Sequence, residues 1–288
     1  MGTEPGDGLL RIGELSRRVG VSDHVLRAWE RRYGLLKPVR SAGGFRLYSE
    51  ADEGRVRRMQ AHLAGGLSAA EAARAALGED GAGALALALD ELDEPAAQAV
   101  FDRLLSDFTV ETVLRDVVMP YLQELGERWE RGSVTVAQEH FASNLLRGRL
   151  ASLARGWGHG HGPRAVLACP PGERHDLALL VFGIALNRNG WRVGYLGADT
   201  PLEELINTAV DTAADLVVLA AATPERFAGL TEDLTRLASV VPLAVAGAGA
   251  AQTMALPVGT RVLTADPVTE AERMPPPANP RHDARTGQ

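Results

Sequence analysis

At 288 residues, with 45% of them hydrophobic, the chain has room for two or three compact domains, each able to bury its own core. No apolar stretch reaches membrane-spanning length, which excludes a helical membrane protein. Its single cysteine, Cys169, cannot form an internal disulfide, and at the end of an apolar run it reads as a small core residue rather than a nucleophile. The net charge of −7 is unevenly spread: residues 9–77 carry +6 and the remainder −13, as expected of a basic nucleic-acid-binding domain on an acidic body. Met1 to Pro5 shows no basic then apolar leader, so a cytoplasmic protein is expected.

From Leu9, apolar Ile12, Leu15 and Val19 recur at helical spacing before Gly20. A second helix, capped by Ser22, turns Val25, Leu26 and Trp29 inward. Two short helices split by a glycine make a helix-turn-helix candidate. Outward on the second lie His24, Arg27, Arg31 and Arg32, which suit a major groove and its phosphates; in isolation such a face reads equally as solvated. Arg40 to Tyr48 reads as a hairpin turning at Gly43-Gly44, a wing carrying Arg40, Arg46 and Tyr48 to the DNA backbone. Ser49 caps a third helix, 50–64, and Ser68 a fourth, 69–77. Gly78 to Gly83 reads as a flexible linker. Arg-x-Trp-Glu-Arg-Arg-Tyr-Gly-Leu-Leu-x-Pro, from Arg27 to Pro38, and Gly-Phe-Arg-x-Tyr, from Gly44 to Tyr48, resemble the winged DNA-binding domain of the MerR family. The resemblance covers 9–77 and implies a dimer on pseudo-palindromic operator DNA.

Residues 85–157 read as a helical bundle, with helices over 94–106, 110–131 and 135–156. Trp129 closes one of them and Glu139-His140 open the next; taken alone, a Trp and a His there read as core filler. Residues 163–266 hold five strand-like runs separated by helical segments, a flavodoxin-like doubly wound parallel sheet. The expected fold class is therefore α plus α/β: winged helix-turn-helix, helical bundle, then sheet. Residues 267–288, rich in Pro and polar residues, read as a disordered tail. Pro170 to Ala178 leaves the first sheet strand at the carboxyl rim, where open α/β sheets bind ligands. Neutral His175 offers a ring nitrogen to a metal, and Glu173 is placed to fix the other nitrogen. His159 and His161, in a glycine-rich linker, read as solvated.

Glu-x-His-x-x-Ala from Glu173 to Ala178, the Thr223 loop after the third sheet strand and Gly247-Ala248-Gly249 after the fourth resemble a cobalamin-binding module. The resemblance implies that His175 is the lower axial ligand of cobalt in place of the cofactor's dimethylbenzimidazole, with Glu173 as its orienter. It further implies that Thr223, Gly247 and Gly249 line the nucleotide tail. Ala178 stands where that family usually has Gly, adding one methyl beside the tail. Trp129, nine residues, then Glu139-His140 resembles the light-sensing branch, the CarH-type repressors. That resemblance implies adenosylcobalamin as cofactor, Trp129 over its adenosyl group and the Glu139-His140 pair beside it. It also implies a dark homo-oligomer, a tetramer, on operator DNA, released when light breaks the cobalt–carbon bond. Light-sensing members can carry His where this chain has Glu130, so Glu130, water or a shifted His140 would complete the illuminated cobalt shell. A light-independent cobalamin-sensing regulator is the alternative. A corrinoid methyl-transfer module is opposed by the winged domain and by the lack of cysteines for a zinc cluster, and no enzyme is expected.

Overall fold

The computed structural model describes residues 9–41, 43–251 and 256–276. Met1 to Gly8, Ala42 of the expected wing and 277–288 of the expected tail lie outside the described residues. The chain forms two compact units, Met1–Thr109 and Val110–Gln288.

In the first unit, α1 (Ile12–Val19) ends at Gly20 with φ +69°, a left-handed stop that suits glycine. Ser22 then caps α2 (Asp23–Tyr33). The wing is β1 (Val39–Arg40) paired antiparallel with β2 (Arg46–Leu47), tied to the start of the domain by a bridge between Leu10 and Tyr48. α3 (Glu50–Ala64) and α4 (Ala69–Asp90) both begin with a capping box, Ser49 with Asp52 and Ser68 with Glu71. Leu15, Leu26, Leu35, Tyr48, Val56 and Met59 form the centre of one core.

Gly78 to Gly83 is not a linker: α4 runs through it without a break. Glycine costs a helix up to about 1 kcal/mol per residue, but here the segment is fastened to α3. Asp80 accepts from Arg55 Nη1 at 2.9 Å and Arg58 Nη2 at 3.0 Å, and Glu79 meets His62 Nε2 at 2.9 Å. Arg55 also donates to the Leu35 carbonyl at 2.7 Å and pairs with Asp52, whose carboxylate in turn accepts the Lys37 amide. The lengthened helix packs on α5 (Glu94–Asp107), burying Leu85, Leu89, Phe101 and Leu104. The helices expected within 85–157 are thus divided between the two units.

The second unit opens with α6 (Val110–Val113), a π turn over Leu114–Val118 and α7 (Met119–Glu130). Pro120 has no N–H to give the carbonyl four residues back, and the Met119 amide reaches Leu114 instead, widening the turn. α8 (Val136–Leu153) starts from a Thr135 cap. The sheet contains β3 (Arg164–Ala168), β4 (Arg192–Gly197), β5 (Leu216–Ala220), β6 (Leu243–Ala246) and β7 (Arg261–Leu263), all parallel, in the order β4-β3-β5-β6-β7. That is the flavodoxin-type order, whose switch point lies between the first and third strands in sequence. α9 (Leu177–Arg188), α10 (Leu202–Asp211), α11 (Thr231–Val240) and the short α12 (Ala248–Ala251) connect the strands. α9 buries every residue from Leu179 to Leu186.

The expected disordered tail begins instead with α13 (Pro267–Glu272), capped by Asp266. Asn189 Nδ2 donates to the carbonyls of Ala271 and Met274, and Trp191 Nε1 to that of Met274, so this segment is held against the end of α9. Arg115, on the π turn, pairs with Glu272 at 2.6 Å and Asp266 at 3.8 Å. Among the described residues no helix is long and apolar enough to cross a membrane.

Candidate functional site

The apolar strand β3 delivers Pro170 and the glycine turn at Gly172 (φ +77°) to the carboxyl rim of the sheet. The loop is laced to the exit of β4: the Cys169 carbonyl accepts the Thr200 amide, the Glu173 carbonyl accepts that of Asp199, and Asp199 accepts that of Gly172. Glu173 is 1% exposed and the ring of the neighbouring His175 is 80% exposed. One Glu173 oxygen accepts both the His175 amide at 2.8 Å and Nδ1 at 2.7 Å; the other accepts the Ala222 amide at 2.8 Å. Burial works against the Glu173 charge, but the His175 and Ala222 amides and the His175 ring outweigh it and hold the carboxyl below the ordinary carboxylate range. An ionised carboxylate only accepts, so the tautomer of the neutral ring that this contact selects has its proton on Nδ1 and the lone pair on Nε2 free for a ligand.

His175 opens onto a cavity of about 710 Å³ between α7, α8, α9 and the strand ends. Its lower part is floored by Ala220, Ala221, Ala222, Ala246, Gly247 and Ala248, with Ala178 on the helix side. Its upper part is bordered by Met119, Leu122, Trp129 and Glu139, and Glu139 accepts from Ser143 Oγ at 2.7 Å. A slot of alanines and glycine admits a flat, extended group beside the sheet. Among the described residues no cluster of three His, Cys, Asp or Glu could hold a metal, so a metal taken by His175 would bring most of its own ligands. A corrin ring does so, and the donor, the slot and the roomy apolar upper part together fit a cobalt corrinoid.

Trp129, Glu139, His175, Ala178 and Gly247 therefore meet around one cavity, with Glu173 behind His175. Thr223 and Gly249 are not among the lining residues; they pack against each other, the Thr223 carbonyl oxygen lying 2.3 Å from where a Gly249 Cβ would stand. Glu130 and His140 are exposed and also outside the cavity wall, His140 Nε2 lying 3.5 Å from Glu139. His159 and His161 are exposed. Cys169 is fully buried, and burial first, then Asp176 and Glu173, pushes its thiol up to about 12.

Sequence reasoning missed Ser143, Arg147, Asp176 and Glu270. Glu139, Ser143 and Arg147 are spaced by four on α8, a signal that helical periodicity carries. Arg147 grips Asp176 with both nitrogens, at 2.6 and 3.0 Å. Glu270 lines the cavity from α13 and accepts the Thr264 and Ala265 amides, a contact hidden in what reads as a tail.

On the first unit, His24, Arg27, Arg31, Arg32, Arg40 and Arg46 are all exposed. Tyr48 is a correction: it is fully buried, and its hydroxyl donates to Glu30 at 2.8 Å. Burial first, then Glu30, raises its pKa. Arg46 Nε reaches the other Glu30 oxygen at 2.9 Å, so Tyr48 seats the wing on α2 rather than facing outward.

The profile described as MerR HTH family regulatory protein matches residues 10–78, and two described as B12 binding domain match 82–154 and 163–271. The chain is 38% identical over 266 residues to the HTH-type transcriptional repressor CarA of Myxococcus xanthus, covering 84% of this chain and 87% of that one. It is 32% identical over 254 residues to the transcriptional repressor CarH of the same organism, covering 81% and 85%. The solved structure of the Methanosarcina barkeri monomethylamine corrinoid protein superposes with a TM-score of 0.54 at 17% identity, over 66% of this chain and 93% of that one, a likeness of fold.

Proposed function

The chain belongs to the cobalamin-binding, MerR-type transcriptional repressors, the family of CarA and CarH, and from that premise we propose that it is an adenosylcobalamin-dependent, light-responsive repressor. In this reading it binds operator DNA as a dark homo-oligomer, a tetramer, and releases it on illumination. The observation that carries the cofactor assignment is the exposed His175 ring, its Nδ1 committed to buried Glu173, at the mouth of the alanine-floored cavity. His175 would hold the cobalt from below, Ala178 and Gly247 would border the nucleotide tail, and Trp129 and Glu139 would enclose the adenosyl group. When bound, adenosylcobalamin supplies a cobalt–carbon bond that visible light breaks.

The remaining work falls to the protein. Glu173 keeps the His175 proton on Nδ1, leaving Nε2 as the donor. Leu122, Trp129 and the α9 side chains Leu179 and Phe182 line the upper cavity with apolar surface. The exposed arginines of the winged domain supply the phosphate contacts, each domain binding modestly and several tethered domains binding far more tightly. A cobalamin-sensing regulator that ignores light is the second reading, and Glu130 and the outward His140 favour it.

The test is size-exclusion chromatography of the protein with adenosylcobalamin, in the dark and after illumination, following corrinoid and protein absorbance together. A coloured dark oligomer that becomes smaller after light supports the proposal. A coloured species of constant size supports the light-independent reading, and a corrinoid eluting apart from the protein removes the pocket assignment.

A further inference from the structure

Asp176 directly follows His175 and occupies the N-cap position of α9, yet its side chain caps nothing. An aspartate there ordinarily accepts from the first free amides of its own helix. Here the carboxylate, 4% exposed, is turned away from the helix. One oxygen accepts from Arg147 Nη2 at 2.6 Å; the other accepts from Arg147 Nη1 at 3.0 Å and from the Tyr195 hydroxyl at 2.9 Å. Tyr195 stands on β4 and meets Trp157, just beyond α8, edge to face with ring centroids 5.7 Å apart. A helix cap has been given up for a two-pronged bond to α8 and a hydroxyl from β4.

Arg147 belongs to the same face of α8 as Glu139 and Ser143, the face that lines the cavity. The fork geometry of a guanidinium on a carboxylate fixes orientation as well as distance. Shifting α8 relative to the sheet therefore requires either breaking both bonds or carrying Asp176, and the adjacent His175, along with it. We propose that Arg147 is a positioning residue for His175: through Asp176 it couples the seating of α8 to the presentation of the imidazole. This rests on the reading of His175 as the cobalt ligand.

The test uses the full chain with Arg147→Met, Arg147→Lys and the double variant Arg147→Met/Asp176→Asn. Arg147→Met leaves a buried carboxylate without its cation, a costly change; the double variant removes both charges and carries the test where the single one does not fold. In cofactor-free protein, amide exchange over residues 172–176 is expected to rise about tenfold in the Met and double variants and less in the Lys variant, which keeps one donor. In protein grown on histidine enriched in the heavy nitrogen isotope and loaded with cob(II)alamin, a protein imidazole on cobalt splits the electron paramagnetic resonance lines in two, and dimethylbenzimidazole splits them in three. Wild type is expected to show the two-line pattern, and the Met and double variants a mixture of both. Wild-type exchange together with a pure two-line pattern in these variants would overturn the proposal. A three-line pattern in the wild type would remove the His175 ligand assignment, and the proposal with it.

Discussion

The carbonyl oxygen of Thr223 occupies the space a side chain on Gly249 would need, 2.3 Å from the Cβ position, and that of Ala221 stands 2.3 Å from the Cβ position of Gly247. These glycines let the loops after β5 and β6 touch, backbone against backbone. Gly249→Ala is expected to cost the cofactor-free protein about 1–3 kcal/mol. Gly247→Ala is expected to cost more, because φ is +87° there. Urea denaturation of the two variants checks this; unchanged midpoints would mean that the loops lie further apart.

Glu173→Gln keeps the volume but halves the acceptors available to three N–H groups, and its amide must face one of them. The expected loss is about 1–3 kcal/mol of stability and about 10–100-fold in corrinoid affinity. Thermal melting and titration of the corrinoid absorbance measure the two separately.

The continuity of α4 predicts a pattern among its glycines. Among the described residues nothing lies within 4 Å of a Cβ added at Gly78 or Gly83, whereas one at Gly81 would stand 2.5 Å from Leu104 Cδ2. Gly78→Ala and Gly83→Ala should each stabilise the protein by about 0.5–1 kcal/mol, and Gly81→Ala should not. Equal, negligible effects at all three positions would restore the linker.

Because burial pushes the Cys169 thiol up to about 12, it stays protonated in neutral and mildly alkaline solution. At about pH 8, folded protein should resist iodoacetamide that a free thiol would consume, and react once urea unfolds it. Mass spectrometry of the alkylated chain gives the answer; rapid labelling of the native protein would contradict the burial.

Tyr48→Phe deletes the hydroxyl held by Glu30 and should cost about 0.5–1.5 kcal/mol of stability while weakening operator binding. It removes no cation, so the slope of binding against salt should not change. Arg31→Ala should weaken binding and lower that slope by about one unit. A slope that falls in Tyr48→Phe would place Tyr48 in the DNA contact after all.

Local pattern carried much of this architecture. The runs now seen as β3, β5 and β6 are short, almost wholly apolar and separated by helical segments, and a fully buried parallel strand must be apolar on both faces. Ser22, Ser49, Ser68 and Thr135 cap the helices they precede, because a cap is a contact within four residues. The Glu173 and His175 pair was legible for the same reason, being two residues apart.

What stayed hidden were contacts between distant residues. Asp80 is held by Arg55, 25 positions away, so a glycine-rich stretch that looks like a linker is helix. The carbonyls of Ala271 and Met274 are held by Asn189, so the first residues of a proline-rich stretch that looks like a tail, Pro267 and Glu270 among them, form a wall of the cavity. The burial of Tyr48 against Glu30 and the turn of Asp176 toward Arg147 depend on how elements pack. The sequence by itself determined the parallel sheet, the winged domain and the placing of His175 two residues from Glu173 at a strand exit, since periodicity, capping and near-neighbour chemistry are short-range. Only the tertiary structure decided where α4 ends, what α13 does and which charges meet, because ion pairs and buried carbonyls are satisfied by whatever the fold brings near.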